Sequence, residues 1–288
     1  MIATRILSAA DTGAFQNLTY PAYRARLVDD GICAVGALDN DIPAGLALAV
    51  PQDAETMELL SLFTLPKHRG RGIAGKLLTA LEQRLREAGI KQLHCVYTEK
   101  PDTTEAVERL IEKHGWNAPR PRMLLCKSNY SLIKQAPWWN RFTLPAEYQL
   151  FPWADVNKAE ARDVVKRQQK EHWVPDLLMP SEDDDPYAAN SLAMRHENKI
   201  VGWCLCHQMN TVKVRYTKLF VHRDLQRRLL MLPMLCAAIE KQVELVGEFA
   251  QATWTTPFEL QGMITFIKRR MRPYLLSADR TMGTGKQL

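Results

Sequence analysis

Residues 66–78 read PKHRGRGIAGKLL and lie between an apolar run ending at Leu65 and a helical pattern that starts at Ile73. Three spacings overlap in this stretch. Gly70, Gly72 and Gly75 spell G-x-G-x-x-G; Gly70, Gly75 and Lys76 spell G-x-x-x-x-G-K; Arg69, Gly72 and Ala74 spell R-x-x-G-x-A. Each puts backbone N–H groups, freed by glycine, at a helix N-terminus where they hold phosphate. The loop therefore points to a phosphate-bearing ligand, and its neighbours decide which.

The bulk numbers set the frame. A chain of 288 residues can hold one large domain or two of ordinary size, and each half is long enough for its own core. With 46% hydrophobic and 24% charged residues, its composition is that of a globular protein. The net charge of +6 is shared between the halves; it suits an anionic ligand and is too small and even to argue for nucleic acid. Cys33, Cys95, Cys126, Cys204, Cys206 and Cys236 are scattered, mostly in apolar runs, and read as reduced thiols of a cytoplasmic protein. Cys204 and Cys206 lack a second pair at zinc spacing, so no metal site is expected. The opening MIATRILSAADTG has no export pattern, and no apolar run approaches the roughly 20 residues of a membrane span.

Periodicity predicts strands over residues 1–7, 32–38, 42–50, 55–65 and 91–98, with a short one at 123–127. Asp11 offers an N-cap for a helix to about residue 27. Residues 73–88 form an amphipathic helix with Leu77, Leu78, Leu81 and Leu85 on one face and Gly89 as its stop, and a further helix ends at His114 before Gly115. Residues 128–144, with Trp138 and Trp139, read as a linker. The second half then repeats the order: a strand at 148–153, a helix at 158–173, an acidic solvated loop at 181–186, a hairpin at 191–207, a strand at 212–221, a helix from 224 to 246, a strand at 249–255 and a helix at 258–272. A period of this length suggests two copies of one domain rather than a solenoid.

The neighbours separate the three patterns. A Walker A loop needs Ser or Thr after Gly75-Lys76 to bind magnesium, and Leu77 stands there. The dinucleotide fingerprint finds a possible ribose carboxylate in Glu99, but its strand should run straight into the first glycine. Here residues 66–69 intervene and a hairpin lies upstream. The third pattern uses every residue. With its flanks, ELLSLFTLPKHRGRGIAGKLLTALEQRL at residues 58–85, it resembles motif A of the GNAT superfamily of acyl-CoA N-acyltransferases, and the likeness extends more weakly over residues 1–127.

The resemblance implies an α/β (α+β) chain of two GNAT-like domains, each a mixed, mostly antiparallel sheet flanked by helices with a splayed central strand pair. Residues 1–127 would be the acetyltransferase domain, 128–147 a linker, 148–280 a degenerate GNAT-like domain and 281–288 a tail. Acetyl-CoA would be the co-substrate and a primary amine the acceptor, with no membrane partner and a monomer or homodimer in the cytoplasm. Backbone groups of Leu62, Phe63 and Thr64 on the splayed strand would pair with pantetheine, and those of Arg69, Gly70, Arg71, Gly72, Ile73, Ala74 and Gly75 would take the diphosphate, assisted by the charges of Arg69, Arg71 and Lys76.

Glu58 is the candidate base: it shares a face with Leu60, Leu62 and Thr64 by strand alternation, and that apolar flank should raise its pKa. The family's customary acid, a tyrosine four residues before the helix-ending glycine, falls at Ile111 here, which leaves Tyr97 on the next strand, a water, or a thiolate that departs unaided. The missing tyrosine keeps a CoA-binding regulatory pseudoenzyme as one alternative, and an NAD(P)-binding oxidoreductase is another. In the second half KVRYTKLFVHRDLQRRLLMLPMLCAAIEKQ lines up with the first, yet residues 224–229 contain no glycine, and Pro233 is tolerable only in a first helical turn. That copy reads as one that has lost cofactor binding.

Overall fold

The computed structural model describes residues 1–181 and 186–288; most of the acidic run expected as a solvated loop lies outside them. Two compact units result, one of Met1–Arg122 with Arg280–Leu288 and one of Met123–Asp279.

In unit 1, β1 (Ile2–Ile6), β2 (Cys33–Asp39), β3 (Ile42–Pro51) and β4 (Thr56–Thr64) pair antiparallel in chain order, with β2 and β3 joined by a hairpin at Asn40 and Asp41. Both turn residues have positive φ, the geometry Asn and Asp tolerate in a tight hairpin. The α-helix α1 (Thr12–Phe15) precedes β2, and α2 (Ile73–Glu87) follows β4. The helix expected from 11 to 27 is cut to this single turn and two 3-10 turns, the chain running extended at Thr19 and Tyr20 ahead of Pro21. Leu77, Leu78 and Leu81 of α2 are fully buried against the sheet, worth roughly 1.5–3 kcal/mol each. Next come β5 (Gln92–Thr98) and α3 (Thr104–Lys113), then β6 (Arg120–Asn129).

One bulge and one short pairing shape this sheet. Leu48 pairs with Ser61 but Ala49 pairs with Leu59, so Leu60 is an extra residue in β4. Beside it, β4 and β5 run parallel only from Thr56↔Gln92 to Leu59↔Cys95. Beyond Leu59 the two strands part.

Unit 2 opens with residues 123–129 of β6 and the single-turn helix α4 (Tyr130–Ile133). Ile133 and Trp138 are buried in this unit's core, so much of the stretch expected as a linker is packed structure. Then follow β7 (Tyr148–Pro152), α5 (Lys158–Glu171), β8 (Leu192–His196), β9 (Lys199–Asn210), β10 (Lys213–Val221), α6 (Met231–Val246), β11 (Gln251–Pro257) and α7 (Gln261–Phe266). Neighbouring strands in the order β7, β8, β9, β10 pair antiparallel; β10 and β11 are parallel, and β11 pairs antiparallel with β6. The device of unit 1 recurs: Thr217 is bulged in β10, and β10 meets β11 only over Lys213–Arg215. The long helix expected over 258–272 is α-helical only over Gln261–Phe266, widens into a π-turn at Ile267–Met271 and ends in a 3-10 turn at Arg272–Tyr274.

The remaining strand, β12 (Ser277–Gln287), pairs Thr281–Gln287 antiparallel with β5. The segment expected as a tail is thus a strand of unit 1. Lys286 Nζ donates to Glu82 Oε2 at 2.6 Å and to the His114 carbonyl, Arg280 holds Glu99 with two hydrogen bonds, and the Leu288 N–H donates to Lys91 O. Glu82, on α2, is buried and also accepts from the Trp116 indole N–H at 3.0 Å.

Candidate functional site

The loop after β4 starts with a 3-10 turn at Pro66–His68, a fit for proline's fixed φ, and reaches α2 through two glycines in left-handed backbone, Gly70 at φ +76° and Gly72 at φ +74°. A Cβ on either would project into open space, so both the backbone angle and the space leave this surface bare. Gly72 is the N-cap of α2, and the first ladder bond runs from Lys76 N–H to Gly72 O. The N–H groups of Ile73, Ala74 and Gly75 fall ahead of that bond, at the positive end of a fifteen-residue helix. Alternating left-handed glycines with such a helix start make an anion-binding nest.

One of the loop's side-chain charges is committed elsewhere. Arg71 makes a two-point ion pair with Asp39, a buried carboxylate that this guanidinium holds below the usual carboxylate range; His68 Nδ1 lies 3.1 Å from the same carboxylate. Lys76 Nζ reaches Ile2 O at 3.4 Å, and Arg69 Nε donates to Thr64 O at 3.3 Å. Arg71 is thus committed to Asp39, whereas among the described residues Arg69 and Lys76 meet only neutral carbonyls and keep their charge beside the loop.

Upstream, the strand that should meet an extended ligand has the required open edge. Residues 61–64 pair with β3 on one side, and β5 has left on the other. The Thr64 hydroxyl is buried with no hydrogen-bond partner among the described residues. An open strand edge, an unpartnered hydroxyl and a bare nest in sequence fit a ligand with an amide-bearing arm and a diphosphate.

The bulge changes one expectation. Leu59 and Leu62 both pack toward α2, while Leu60 and Phe63 pack in the opposite cluster with Phe15 and Leu46. The extra residue reverses the alternation, so Glu58 shares its face with Leu60 but not with Leu62 or Thr64. Glu58 is half-buried two residues before the bulge, and its carboxylate accepts from Gln52 Nε2 at 2.8 Å, a polar partner no sequence spacing announced. Tyr97 lies on β5 past the last residue paired with β4, and its hydroxyl donates to Glu108 Oε1 at 3.1 Å. Burial, then Glu108, pushes its pKa above the ordinary tyrosine value; burial also pushes Cys95 up to about 12. Ile111 is buried in the core under α2, leaving no hydroxyl where the resemblance would put one. Glu99, the ribose candidate, is held by Arg280.

The Tyr97 shift has a pH consequence. Its unfolded pKa is near 10 and its folded value is higher, so the folded state keeps a proton that the unfolded state releases. No stability is lost on this account below pH 10, and stability falls as pH rises above it. Difference absorbance at the tyrosinate band, wild type against Tyr97→Phe, should show one tyrosine that titrates only as unit 1 unfolds.

A strand pair splayed at a bulge thus leads into a glycine nest on a helix start. Residues 3–116 match the model of the acetyltransferase (GNAT) family. The tandem GNAT protein from the clavulanic acid biosynthesis pathway superposes over 100% of this chain and 98% of its own, at TM-score 0.65 and 14% identity. A GCN5-related N-acetyltransferase from Sphaerobacter thermophilus does so over 99% and 95%, also at 0.65 and 14%. These likenesses show the fold, a tandem arrangement of mixed, mostly antiparallel sheets flanked by helices. Among the curated proteins, none matches this sequence. Among the described residues no helix is long and apolar enough to cross a membrane.

Proposed function

We propose that unit 1 transfers the acetyl group of acetyl-CoA to a primary amine by direct attack within a ternary complex. The observation that carries this reading is the open edge of β4 beyond Leu59, running into the bare nest at residues 70–75. Acetyl-CoA supplies an activated thioester when bound. The chain's own groups do the rest: Leu62, Phe63 and Thr64 align the pantetheine arm along the strand edge, and the N–H groups of residues 69–75 hold the diphosphate. Glu58 takes a proton from the amine, directly or through water, and Tyr97 returns one to the departing sulfur. Orientation of the amine against the thioester is the main catalytic contribution of such a site.

Calorimetric titration with acetyl-CoA, NADH and ATP tests the ligand. Acetyl-CoA should bind at one site per chain and the other two should not. The paired change Gly70→Asp/Gly72→Asp removes two left-handed glycines and sets carboxylates in the nest. With two or more charge-assisted hydrogen bonds lost, affinity should fall by about 100-fold or more. Binding of NADH in place of acetyl-CoA would end this reading.

A further inference from the structure

Unit 2 keeps the architecture of the ligand wedge without its anion grip. Its splayed strands β10 and β11, with α6 and α7, enclose a cavity of about 280 Å³. The walls are chiefly apolar, formed by Leu219, Trp254, Met231, Ile239, Met263 and Phe266. Tyr216 and Gln242 also line it, but the tyrosine hydroxyl is engaged by donating to Gln242 Oε1 at 2.9 Å. A well-formed apolar cavity of this kind is a small-molecule site by its chemistry, and methionine walls adapt to a slender, flexible guest.

The loop beside it is closed to diphosphate. Residues Arg223–Arg228 coil into a 3-10 helix where unit 1 has an open nest. Leu229 occupies the left-handed position of Gly72, at φ +57°, with a side chain where unit 1 has bare backbone. Pro233 is the third residue of α6, so the first helical turn tolerates it and also lacks one of the N–H groups that α2 offers. Apolar walls beside a loop without a phosphate grip suit an apolar chain and not a nucleotide.

We infer that unit 2 binds an unbranched acyl chain presented without a nucleotide. The chain comes as a free fatty acid or as a thioester on a pantetheine arm, and affinity comes from the chain in either form. The test is calorimetry on the whole protein with decanoic acid, decanoyl-pantetheine and decanoyl-CoA, in the presence of saturating acetyl-CoA. One further site per chain is expected, with affinities for the three probes within about threefold of one another. Within that range, decanoyl-pantetheine binding more tightly than the acid would point to the carrier-borne form as the source, and the acid binding more tightly to the free acid. Ala252→Trp, which fills the cavity from β11, should weaken all probes at least about tenfold and leave acetyl-CoA titration unchanged. If that variant does not fold, Leu219→Trp serves instead. The inference is overturned if octanoic, decanoic and myristic acids and their thioesters all fail to bind. It is equally overturned if decanoyl-CoA alone binds tightly, or if neither filling substitution moves the affinity.

Discussion

A chain ending at Asp279 is expected to lose acetyl-CoA binding entirely while unit 2 keeps its own unfolding transition. Removing residues 280–288 exposes the edge of β5, strips Glu99 of its arginine and leaves Glu82 buried without Lys286. Breaking a buried pair by removing one partner costs about 3–5 kcal/mol, because the remaining charge keeps its desolvation penalty. That is a large share of a domain's net stability of about 5–15 kcal/mol. Lys286→Met isolates the charge: Glu82 keeps Arg86 Nη2 at 3.4 Å and the Trp116 N–H, so the variant should lower the stability of unit 1 by about 1–3 kcal/mol, and Glu82→Gln added to it should restore part of the loss. Denaturant unfolding of the four proteins of that cycle measures the coupling. A peptide of residues 280–288 supplied to the shortened chain should recover acetyl-CoA binding. If the shortened chain binds acetyl-CoA as the intact one does, β12 is an ornament of unit 1 and not part of its fold.

Glu58→Gln has the second large expected effect, on rate and not on binding. The amide keeps the side chain's size and can still meet Gln52, so the strand and its bulge should persist. A lost general base lowers kcat/KM by about 10²–10⁴-fold. The acetyl-CoA dissociation constant should stay within about twofold, since the proposed contacts to the co-substrate lie at residues 62–75. A screen of primary amines with thiol-release detection finds the acceptor first; the variant is then measured on it. Unchanged turnover would reduce Glu58 to a surface partner of Gln52 and move the proton transfer to water or to a group from the acceptor side.

The two tests bear on parts of the molecule that differ in how readable they were. The loop and α2 were legible because glycines at 70, 72 and 75 and leucines at 77, 78, 81 and 85 state a local geometry by themselves. The doubling was legible for the same reason, since a strand, basic turn and helix recur together. The bulge at Leu60 was not: it exists only as a mismatch of register between β4 and β3, and Leu60 is no different in type from Leu59. For this reason the face shared by Glu58 and Leu62 was misread. β12 was invisible for another reason. Ser277–Gln287 contains two glycines and Met282 as its one large apolar side chain, so no period-2 pattern marks it. Its strand identity comes from β5, some 180 residues earlier, and propensity carries no information across such a distance.

The return of β12 to unit 1 also orders events in time. During synthesis, residues 1–122 leave the ribosome first, yet the strand that completes their sheet follows only after all of Met123–Asp279 has emerged. Unit 2 can close before unit 1 does, against the usual N-terminal-first order. A nascent chain that stops short of residue 280 therefore lacks the strand that covers the edge of β5, whatever the state of unit 2.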